Sequence, residues 1–381
     1  MSHMMKVATV QMDAAPASVT DRLNRAARLV EGATVQGAQL IVLPELFNIG
    51  YEYDDRNYGL AEPIDGPTMQ WMKDQAKTHN VHLAGSFLLL DAEEIYNSAF
   101  IVAPDGRTWR YDKIYPFNWE RAYFREGRGT TVADTDLGKL GMLICWDAAH
   151  ADLWKRYAGR VDAMVVTSCP PAFNKASLVF PDGERLPTIM AKENHFQDQD
   201  IEDQAEWIQV PVIASQGTGI FRSHLPIPHV SVAALLGTRP DLWKWVQQAD
   251  KAVLEADYEH FAKVLDARGN VLAQIMQEGD SFAVAEVEMA DHTPHPQGGQ
   301  PKMRTSPVGF FGADAVGANG MISLYRVNTR DQWGLYMAPV DPRTRTWASL
   351  VAGAAIVGAA VGFLASRTRP SSDDELTIYH G

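Results

Sequence analysis

The order of apolar segments along the chain restricts its fold more than any other feature of the sequence. Short apolar runs with strand character, such as 7–12 and 81–90, alternate with stretches whose apolar residues recur at helical spacing, such as 18–33. Hairpin turns lie between some of the strands, as at 104–106. No repeat with a period of about 20–50 residues is superimposed on this pattern. The alternation predicts an α/β fold built in layers rather than an all-β sandwich.

Charge and cysteine content narrow the classes of function. The 381 residues carry a net charge of −13, so the chain lacks the overall excess of cationic side chains that nucleic-acid binding requires. Its two cysteines, Cys145 and Cys169, are too few for a disulfide framework. We therefore expect two free thiols in a reducing compartment and no nucleic-acid partner.

An uncharged segment of 20 residues, 347–366, lies near the end of the chain and has arginines on both sides. A helix needs about 20 apolar residues to span a bilayer. We therefore expect one membrane-anchoring C-terminal transmembrane helix, with the lipid bilayer as its partner; a buried Ala-rich helix at an oligomer interface is the alternative. Because the first strand-like run shows no signal-peptide pattern, the large part of the chain before this segment is expected to be cytoplasmic.

Three reactive side chains each follow an apolar strand, where active-site groups of α/β folds commonly lie. Glu45 stands in LPELF, Lys113 in YDKIY and Cys145 in LICWD. Burial raises the pKa of a carboxyl group and suits it as a general base, an ammonium can stabilise developing negative charge, and a thiol can be activated as a nucleophile. Each residue also has a structural alternative: a capping or ion-paired glutamate, an exposed lysine at a strand end, and an inert core cysteine.

Other candidate site residues carry weaker patterns. Cys169 also follows an apolar strand, but without the pattern around Cys145, and it is interpreted as a structural thiol near the site. His150 could contact a substrate, although a surface histidine accounts for it better. His79 and His82 have no further ligand at zinc spacing, so no metal site is expected. The chain also lacks a dinucleotide-binding or Walker glycine loop and a G-x-S-x-G motif.

Taken together, the order and spacing of Glu45, Lys113 and Cys145 resemble the catalytic Glu-Lys-Cys set of the nitrilase superfamily of carbon–nitrogen hydrolases. The glutamate lies in PELFNIGY at 44–51, which is similar to the family pattern Pro-Glu-x-x-x-x-Gly-Tyr. As in that family, the lysine follows a hairpin strand, and the cysteine is followed by an aromatic residue and an acid. The resemblance covers roughly residues 6–288.

The resemblance extends to a fourth residue and departs from the family pattern at one place. A further glutamate of the family often stands seven residues after the lysine, and Glu120 fits that position; a salt bridge to Arg121 or Arg125 is its alternative. Many members have a Phe-Pro-Glu run shortly after the cysteine, whereas this chain has AAHAD at 148–152. The sequence is therefore not assigned to a known substrate subgroup.

The resemblance implies an α/β, four-layer αββα sandwich that forms a homodimer or a larger homo-oligomer. With the features above, it divides the chain into a carbon–nitrogen hydrolase domain and a C-terminal region. The predicted ranges are 5–290 for the domain, with an insertion at about 223–260, then 291–346 for an extended arm, 347–366 for the transmembrane helix and 367–381 for a short tail.

The implied reaction is cysteine-dependent hydrolysis through a thioester, with no metal or organic cofactor. Glu45 would act as general base and Cys145 as nucleophile, while Lys113 and the backbone N–H of Trp146 would stabilise the oxyanion. Glu120 would position Lys113 or the substrate. The expected substrate-binding residues are Tyr51, Trp119, Trp146 and Cys169.

Several reactions remain open at this stage. Amide or carbamoyl hydrolysis that releases ammonia or an amine is favoured, because Cys-Trp-Asp and Leu-Pro-Glu-Leu-Phe resemble the amidase-type branches. A nitrilase that converts a nitrile to an acid and ammonia is the first alternative. Acyl transfer, or a membrane-anchored scaffold with a nitrilase-like body, represents other classes of function; the presence of Glu45, Lys113 and Cys145 argues against the scaffold.

Overall fold

The computed structural model describes residues 3–188, 198–237, 239–259, 262–305, 313–314 and 318–333. The strands, numbered in chain order, are β1 (His3–Asp13), β2 (Leu40–Val42), β3 (His82–Asp91), β4 (Glu94–Val102), β5 (Thr108–Asp112), β6 (Val132–Thr135), β7 (Gly138–Ile144), β8 (Ala163–Thr167), β9 (Ser177–Val179), β10 (Arg185–Pro187), β11 (Val212–Thr218), β12 (Ile220–Ser223), β13 (Val253–Asp257), β14 (Lys263–Leu265), β15 (Val271–Gln274) and β16 (Ser281–Met289). The α-helices are α1 (Val19–Val35), α2 (Arg56–Leu60), α3 (Pro67–His79), α4 (Ala151–Tyr157), α5 (Asp198–Ile208), α6 (Pro228–Leu236) and α7 (Asn319–Trp333).

Twelve of these strands form a sheet with two halves. The first half has the order β5-β4-β3-β2-β1-β16, and the second has the order β6-β7-β8-β11-β14-β15. The halves join where the end of β1 pairs in parallel with β11, at Gln11–Asp13 and Gln216–Thr218. Strand β1 therefore lies at the centre of the topology, with parallel β2 and antiparallel β16 as its other neighbours.

Alternating side chains of the first half face two different apolar cores. Val7 and Leu40 are buried in a core that also contains Met142 of the second half, so this core lies between the two halves of the sheet. Their chain neighbours Ala8 and Ile41 are buried in a core shared with α1 and α3. Such alternation follows from the two-residue period of a strand.

Helices α4 and α5 are buried against the second half of the sheet, through residues such as Trp154 and Ile201. The layers are therefore helix, sheet, sheet and helix. The α/β fold expected from the sequence alternation is confirmed.

The helix ends follow local signals in the sequence. Ser18 caps α1, because its hydroxyl accepts a hydrogen bond from the Asp21 backbone N–H at 3.1 Å. Pro67 occupies the first turn of α3, where its missing N–H costs no helical hydrogen bond. Asn80 ends that helix in the left-handed region, with a φ of 52°.

The region from 223 to 260, predicted as an insertion, contains both helix and strand. Residues Pro240–Lys251 form a 3₁₀-helix, but the residues that follow form strand β13 instead of continuing as helix. This strand joins β9, β10 and β12 in a separate four-stranded sheet. Long-range pairing decides here, because β13 pairs with β12 and with β9 far away in the chain. The division of the chain into domains stays a prediction.

The region after β16 also departs from the extended arm expected at 291–346. Its first part lies over the outer helices: Gln300 Nε2 donates to the Ala151 carbonyl at 2.6 Å, and Arg304 pairs with Asp200 at 3.1 Å. Farther along, α7 is a fifteen-residue helix that packs against the 3₁₀-helix Asn118–Ala122. The expected arm is therefore partly helical.

The expected transmembrane helix at 347–366 and the tail at 367–381 lie outside the described residues. Within the residues that are described, no helix has the length and apolar character needed to cross a bilayer.

Candidate active site

The three strand ends predicted from the sequence converge in the structure. Glu45 lies just beyond β2 and Lys113 directly after β5, both in the first half of the sheet. Cys145 lies directly after β7 in the second half, at the start of the 3₁₀-helix Cys145–Ala149. Because the two halves pack face to face, these ends meet between them. All three side chains are buried.

The ammonium group of Lys113 joins two carboxylates. Its Nζ lies 2.8 Å from Glu45 Oε1, 3.0 Å from Glu120 Oε1 and 2.7 Å from Glu120 Oε2. The Lys113 side chain is 0% exposed. Burial lowers the pKa of Lys113, but the charges of Glu120 and Glu45 outweigh it and hold the pKa well above its ordinary value. Lys113 is therefore a fixed cation and not the exposed strand-end lysine of the alternative interpretation.

The backbone around Lys113 fixes the direction of its side chain. Its N–H donates to the Asn97 carbonyl of β4 at 2.9 Å, and its carbonyl accepts from the Gly127 N–H at 2.7 Å. A Cβ atom at Gly127 would lie 2.3 Å from the Asp112 carbonyl oxygen, so only glycine permits this close approach. The chain thus passes directly beside the lysine at Glu126 and Gly127.

The two carboxylate oxygens of Glu45 differ in their surroundings. Oε1 accepts hydrogen bonds from Lys113 Nζ and from Asn97 Nδ2, each at 2.8 Å. Oε2 is buried and has no partner of normal hydrogen-bond geometry among the described residues. Lys113 is the main neighbour that favours the ionised carboxylate, and the Cys145 side chain adds a smaller effect in the same direction. Glu45 is therefore neither a helix cap nor a fully paired carboxylate.

Burial raises the pKa of Glu45 to about 7, against the opposing charge of Lys113 and with a further increase from the nearby Glu120. A carboxyl group of this pKa is partly ionised near neutral pH, as a general base requires.

Glu120 is saturated with hydrogen bonds. Besides the two contacts with Lys113, its Oε2 accepts from the Phe117 backbone N–H at 2.7 Å, and its Oε1 accepts a short hydrogen bond from the Tyr51 hydroxyl. The alternative salt bridges are not made by this residue: Arg121 pairs with Glu126 and Arg125 with Glu94. Glu120 therefore holds Lys113 in place.

Cys145 occupies a strained position with a protonated thiol. Its φ of 49° lies in the left-handed region, which is unusual for a residue with a side chain and recurs at functional turns. Burial raises the pKa of Cys145 well above its ordinary value, and Glu45 adds to the rise while Lys113 opposes it. The resting site holds a neutral thiol beside its base.

Asp147 is a site residue that the sequence interpretation missed as such. Its carboxylate accepts hydrogen bonds from the Ile114 and Tyr115 backbone N–H groups at 3.1 and 2.8 Å, and from the Tyr111 hydroxyl at 2.8 Å. It also accepts one from the Ile144 N–H at 3.3 Å. Burial raises its pKa to about 6. One carboxylate therefore ties the lysine loop to the cysteine turn, and the Cys-Trp-Asp run was its signal.

Replacing Asp147 with asparagine is expected to lower the free energy of unfolding by about 1–3 kcal/mol, because the new amide NH₂ faces the Ile144 N–H and leaves a buried donor unpaired. The lysine loop should shift, and turnover should fall with it. Tyr111→Phe is the matched control, since it removes one hydrogen bond and leaves both turns attached to Asp147. Urea unfolding at neutral pH measures both variants. Equal stability of the Asn variant and the parent chain would contradict this role.

The expected substrate-binding residues lie in different surroundings. The Tyr51 hydroxyl donates to Glu120, and the Trp119 indole N–H donates to Ser231 Oγ at 3.2 Å. Cys169 Sγ lies 3.6 Å from the Tyr258 hydroxyl, and burial raises the pKa of Cys169 to about 12. Trp146 lies directly beside the nucleophile position, with its indole N–H 2.9 Å from Asp314 Oδ1. Their roles toward a substrate stay predictions.

A row of aromatic rings borders this site and was not expected from the sequence. Phe117 lies edge-on to Trp146 at 5.0 Å between ring centroids and stacks on Phe173 at 5.5 Å. Phe173 in turn lies edge-on to Phe221 at 5.8 Å. These rings come from four segments of the chain, so no local pattern marks them as neighbours.

His150 corrects the interpretation as a surface histidine. It is buried, stacks on Tyr115 at 3.6 Å, and hydrogen-bonds Asp314 Oδ2 through Nε2 at 2.8 Å. Its buried position follows from the turn into α4, which begins at the next residue.

No cluster of three or more His, Cys, Asp or Glu residues suited to a metal occurs within the described ranges.

Comparisons with known proteins show what the chain is similar to. The family described as carbon-nitrogen hydrolase matches residues 6–201. A protein named nitrilase from Pyrococcus abyssi is 33% identical over 195 residues, which cover 50% of this chain and 72% of that protein. An omega-amidase from Homo sapiens is 32% identical over 172 residues, which cover 41% of this chain and 59% of that protein. The chain therefore spans less than two thirds of the omega-amidase.

Solved structures resemble the chain in fold. A carbon-nitrogen hydrolase from Helicobacter pylori has a TM-score of 0.56 at 19% identity and covers 75% of this chain and 89% of that chain. Nit3 from Saccharomyces cerevisiae, a member of branch 10 of the nitrilase superfamily, has a TM-score of 0.55 at 23% identity, with 74% and 89% covered. At these identities the likeness concerns the fold alone.

Proposed function

The chain belongs to the carbon–nitrogen hydrolase family of the nitrilase superfamily, and on that premise we propose that it hydrolyses a non-peptide amide or carbamoyl group through a thioester on Cys145. The observation that carries this proposal is the buried cluster in which Lys113 Nζ joins Glu45 and Glu120 beside the Cys145 thiol. The surroundings of each group suit it to one role: Glu45 is the base, Cys145 the nucleophile and Lys113 the cation that Glu120 holds in place. No step calls for a metal or an organic cofactor.

The first half of the reaction forms the acyl-enzyme. Glu45 takes the thiol proton while Cys145 Sγ bonds to the carbonyl carbon, and the carbonyl π electrons move to oxygen. Lys113 and the backbone N–H of Trp146 stabilise that oxyanion; one such donor contributes about 3–4 kcal/mol. The C–N bond then breaks, Glu45 returns the proton to nitrogen, and ammonia or an amine leaves a thioester behind.

The second half returns the enzyme to its starting state. Glu45 takes a proton from water as the water oxygen bonds to the thioester carbon, and the C–S bond breaks to release the acid. The proton on Glu45 returns to the Cys145 sulfur. The net change is one amide and one water converted to one acid and one ammonia or amine. Glu120 holds Lys113 through both halves and transfers no proton.

We favour amide hydrolysis as the reaction. Nitrile hydrolysis is the second candidate, supported by the likeness to the protein named nitrilase. A panel of amides, carbamoyl compounds and nitriles, assayed for ammonia release, tests both. We expect turnover of at least one amide or carbamoyl compound, and a thioester mass increment on Cys145 when the reaction is quenched early. Turnover of nitriles alone would establish the second candidate. Transfer of the acyl group to an added amine would indicate an acyltransferase.

The rate is expected to depend on pH through Glu45. Because the pKa of this carboxyl is raised to about 7, a growing fraction is protonated below that pH and cannot accept the thiol proton. The value of kcat/KM should therefore fall about tenfold for each unit of pH well below 7 and level off above it. Iodoacetamide alkylation of Cys145 should show the same inflection, which Glu45→Gln should abolish. A flat profile between pH 5 and 8 would rule out Glu45 as the base.

We also propose that residues 347–366 anchor the chain to a membrane, with the catalytic domain on the cytoplasmic side, and that the protein forms a homodimer or larger homo-oligomer. The uncharged length of the segment supports the anchor. Solubility of the chain with and without the residues after 342, compared in the presence and absence of detergent, tests it. Equal solubility of both chains without detergent would contradict the anchor, and light scattering reports the oligomer.

A further inference from the structure

Asp314, from the region after β16, reaches the turn that carries the nucleophile. Its Oδ1 accepts a hydrogen bond from Trp146 Nε1 at 2.9 Å, and its Oδ2 lies 2.8 Å from His150 Nε2. The first contact joins residues 168 positions apart in the chain. Neither contact is a loose surface pairing, because Trp146 and His150 are 7% and 8% exposed.

The two residues that Asp314 holds also hold each other. His150 Nδ1 lies 2.9 Å from the Trp146 carbonyl oxygen, and the two rings meet edge-on at 5.5 Å. His150 further stacks on Tyr115 with an interplanar angle of 2°. Since Tyr115 lies two residues after Lys113, this cluster borders both the cysteine turn and the lysine loop.

The orientation of the Trp146 ring matters for what lies beside Cys145. On one side the ring meets Phe117 edge-on, and Phe117 stacks on Phe173. On the other side its indole N–H needs an acceptor, because a buried donor without one costs about 1–3 kcal/mol. Asp314 supplies that acceptor.

We propose that Asp314 is a positioning residue for the hydrolysis: by fixing the Trp146 indole and the His150 ring, it sets the wall of the substrate pocket next to Cys145. A residue that follows the last strand of the sheet thereby completes the site. This inference rests on the proposed function of Cys145. Because Asp314 contacts neither Glu45 nor Lys113 in the described structure, its effect falls on substrate binding more than on proton transfer.

The test separates binding from chemistry in Asp314→Ala. We expect KM for the best amide of the panel to rise about tenfold, because the Trp146 indole loses its hydrogen bond to Asp314 and the wall loosens. The second-order rate constant for alkylation of Cys145 by iodoacetamide, a small probe, should stay within about twofold of the parent value. Asp314→Glu should recover part of the KM change. Asp74→Ala, an exposed acid on α3, is the matched control and should leave both values unchanged.

A double-mutant cycle identifies the residue through which Asp314 acts. Trp146→Phe keeps a ring but removes the indole N–H, so the Asp314→Ala effect on KM should be at least about threefold smaller in that background. Additive effects, an unchanged KM, or equal losses of turnover and alkylation would each overturn the proposal; equal losses would indicate general loss of folding, which circular dichroism checks. A failure of the proposed function would be recognised separately: normal turnover by Cys145→Ala would refute the thioester mechanism, whatever the Asp314 variants show.

Discussion

Cys145→Ala is expected to lower amide turnover by at least about 10⁴-fold, because the attacking sulfur and the covalent intermediate are lost together. The variant should fold normally: the thiol of Cys145 is a small group, and the hydrogen bonds that Asp147 makes to both loops remain. Binding of a substrate or product should survive, since Lys113 and the aromatic rings stay in place. The measurement is ammonia release at neutral pH, with isothermal calorimetry of product binding beside it.

Mass spectrometry after treatment with iodoacetamide gives the second readout for this prediction. The increment on the residue 145 peptide should be absent in Cys145→Ala and present in Cys169→Ala, which removes the other buried cysteine. The parent thiols differ in environment: Cys145 lies beside both Glu45 and Lys113, whereas Cys169 senses the charge of Glu45 but contacts the Tyr258 hydroxyl. Undiminished ammonia release by Cys145→Ala would refute the thioester mechanism.

Lys113→Met is expected to abolish turnover and to cost about 3–5 kcal/mol of unfolding free energy, because it leaves two buried carboxylates without their cation. The loss of rate should be at least about 10³-fold, since the oxyanion loses a charged donor and Glu45 loses its orientation. Guanidinium unfolding and ammonia release measure the two effects.

The stability loss in Lys113→Met should depend on pH with a definite sign. Without the ammonium, the folded-state pKa of Glu45 rises further, so the folded chain binds more protons than the unfolded chain near neutral pH. Stability then falls as pH rises, and the deficit relative to the parent chain should be larger at pH 8 than at pH 5. Adding Glu120→Gln should recover part of the stability without recovering turnover. A deficit independent of pH would contradict the charge argument.

Lys263 offers a matched control for this prediction. Its side chain is 1% exposed and lies 2.8 Å from Glu202 Oε1, away from the catalytic cluster. Lys263→Met should therefore lower stability, but the remaining folded fraction should keep its kcat. Equal losses of kcat in the two lysine variants would show that Lys113 acts through the fold alone.

The catalytic cluster could be predicted because its members carry local signals. Glu45 and Cys145 come after apolar runs, as short strands that are buried on both faces typically appear. Lys113 directly follows the hairpin strand β5, which is only partly buried. The three residues meet because β2 and β5 end in one half of the sheet and β7 ends in the other, and the two halves pack against each other. Glu120 could be predicted from its spacing relative to Lys113. What the spacing could not show is that Glu120 uses both oxygens on the ammonium group.

The residues that were missed depend on partners far away in the chain. Asn97 reaches Glu45 across 52 positions, and Asp314 reaches Trp146 across 168. Strand β13 is another case, because its two edges pair with β12 and β9, which precede it by many residues. Helix α7 is different: its buried residues Met321, Leu324 and Tyr325 recur at helical spacing, so the signal was present in the sequence. Neighbouring glycines and prolines favoured the extended interpretation.

Strand β1 pairs antiparallel with β16 along nine residue pairs, from His3 opposite Met289 to Gln11 opposite Ser281. The first strand of the chain therefore pairs with the last strand of the described residues, and β1 lacks this partner until β16 has been synthesised. During synthesis, one edge of β1 stays open until nearly 290 residues have been translated. Contacts of such long sequence separation slow folding, and an open central strand is prone to pair with other chains. A chain cut short before residue 281 is thus expected to aggregate, however complete its catalytic residues are.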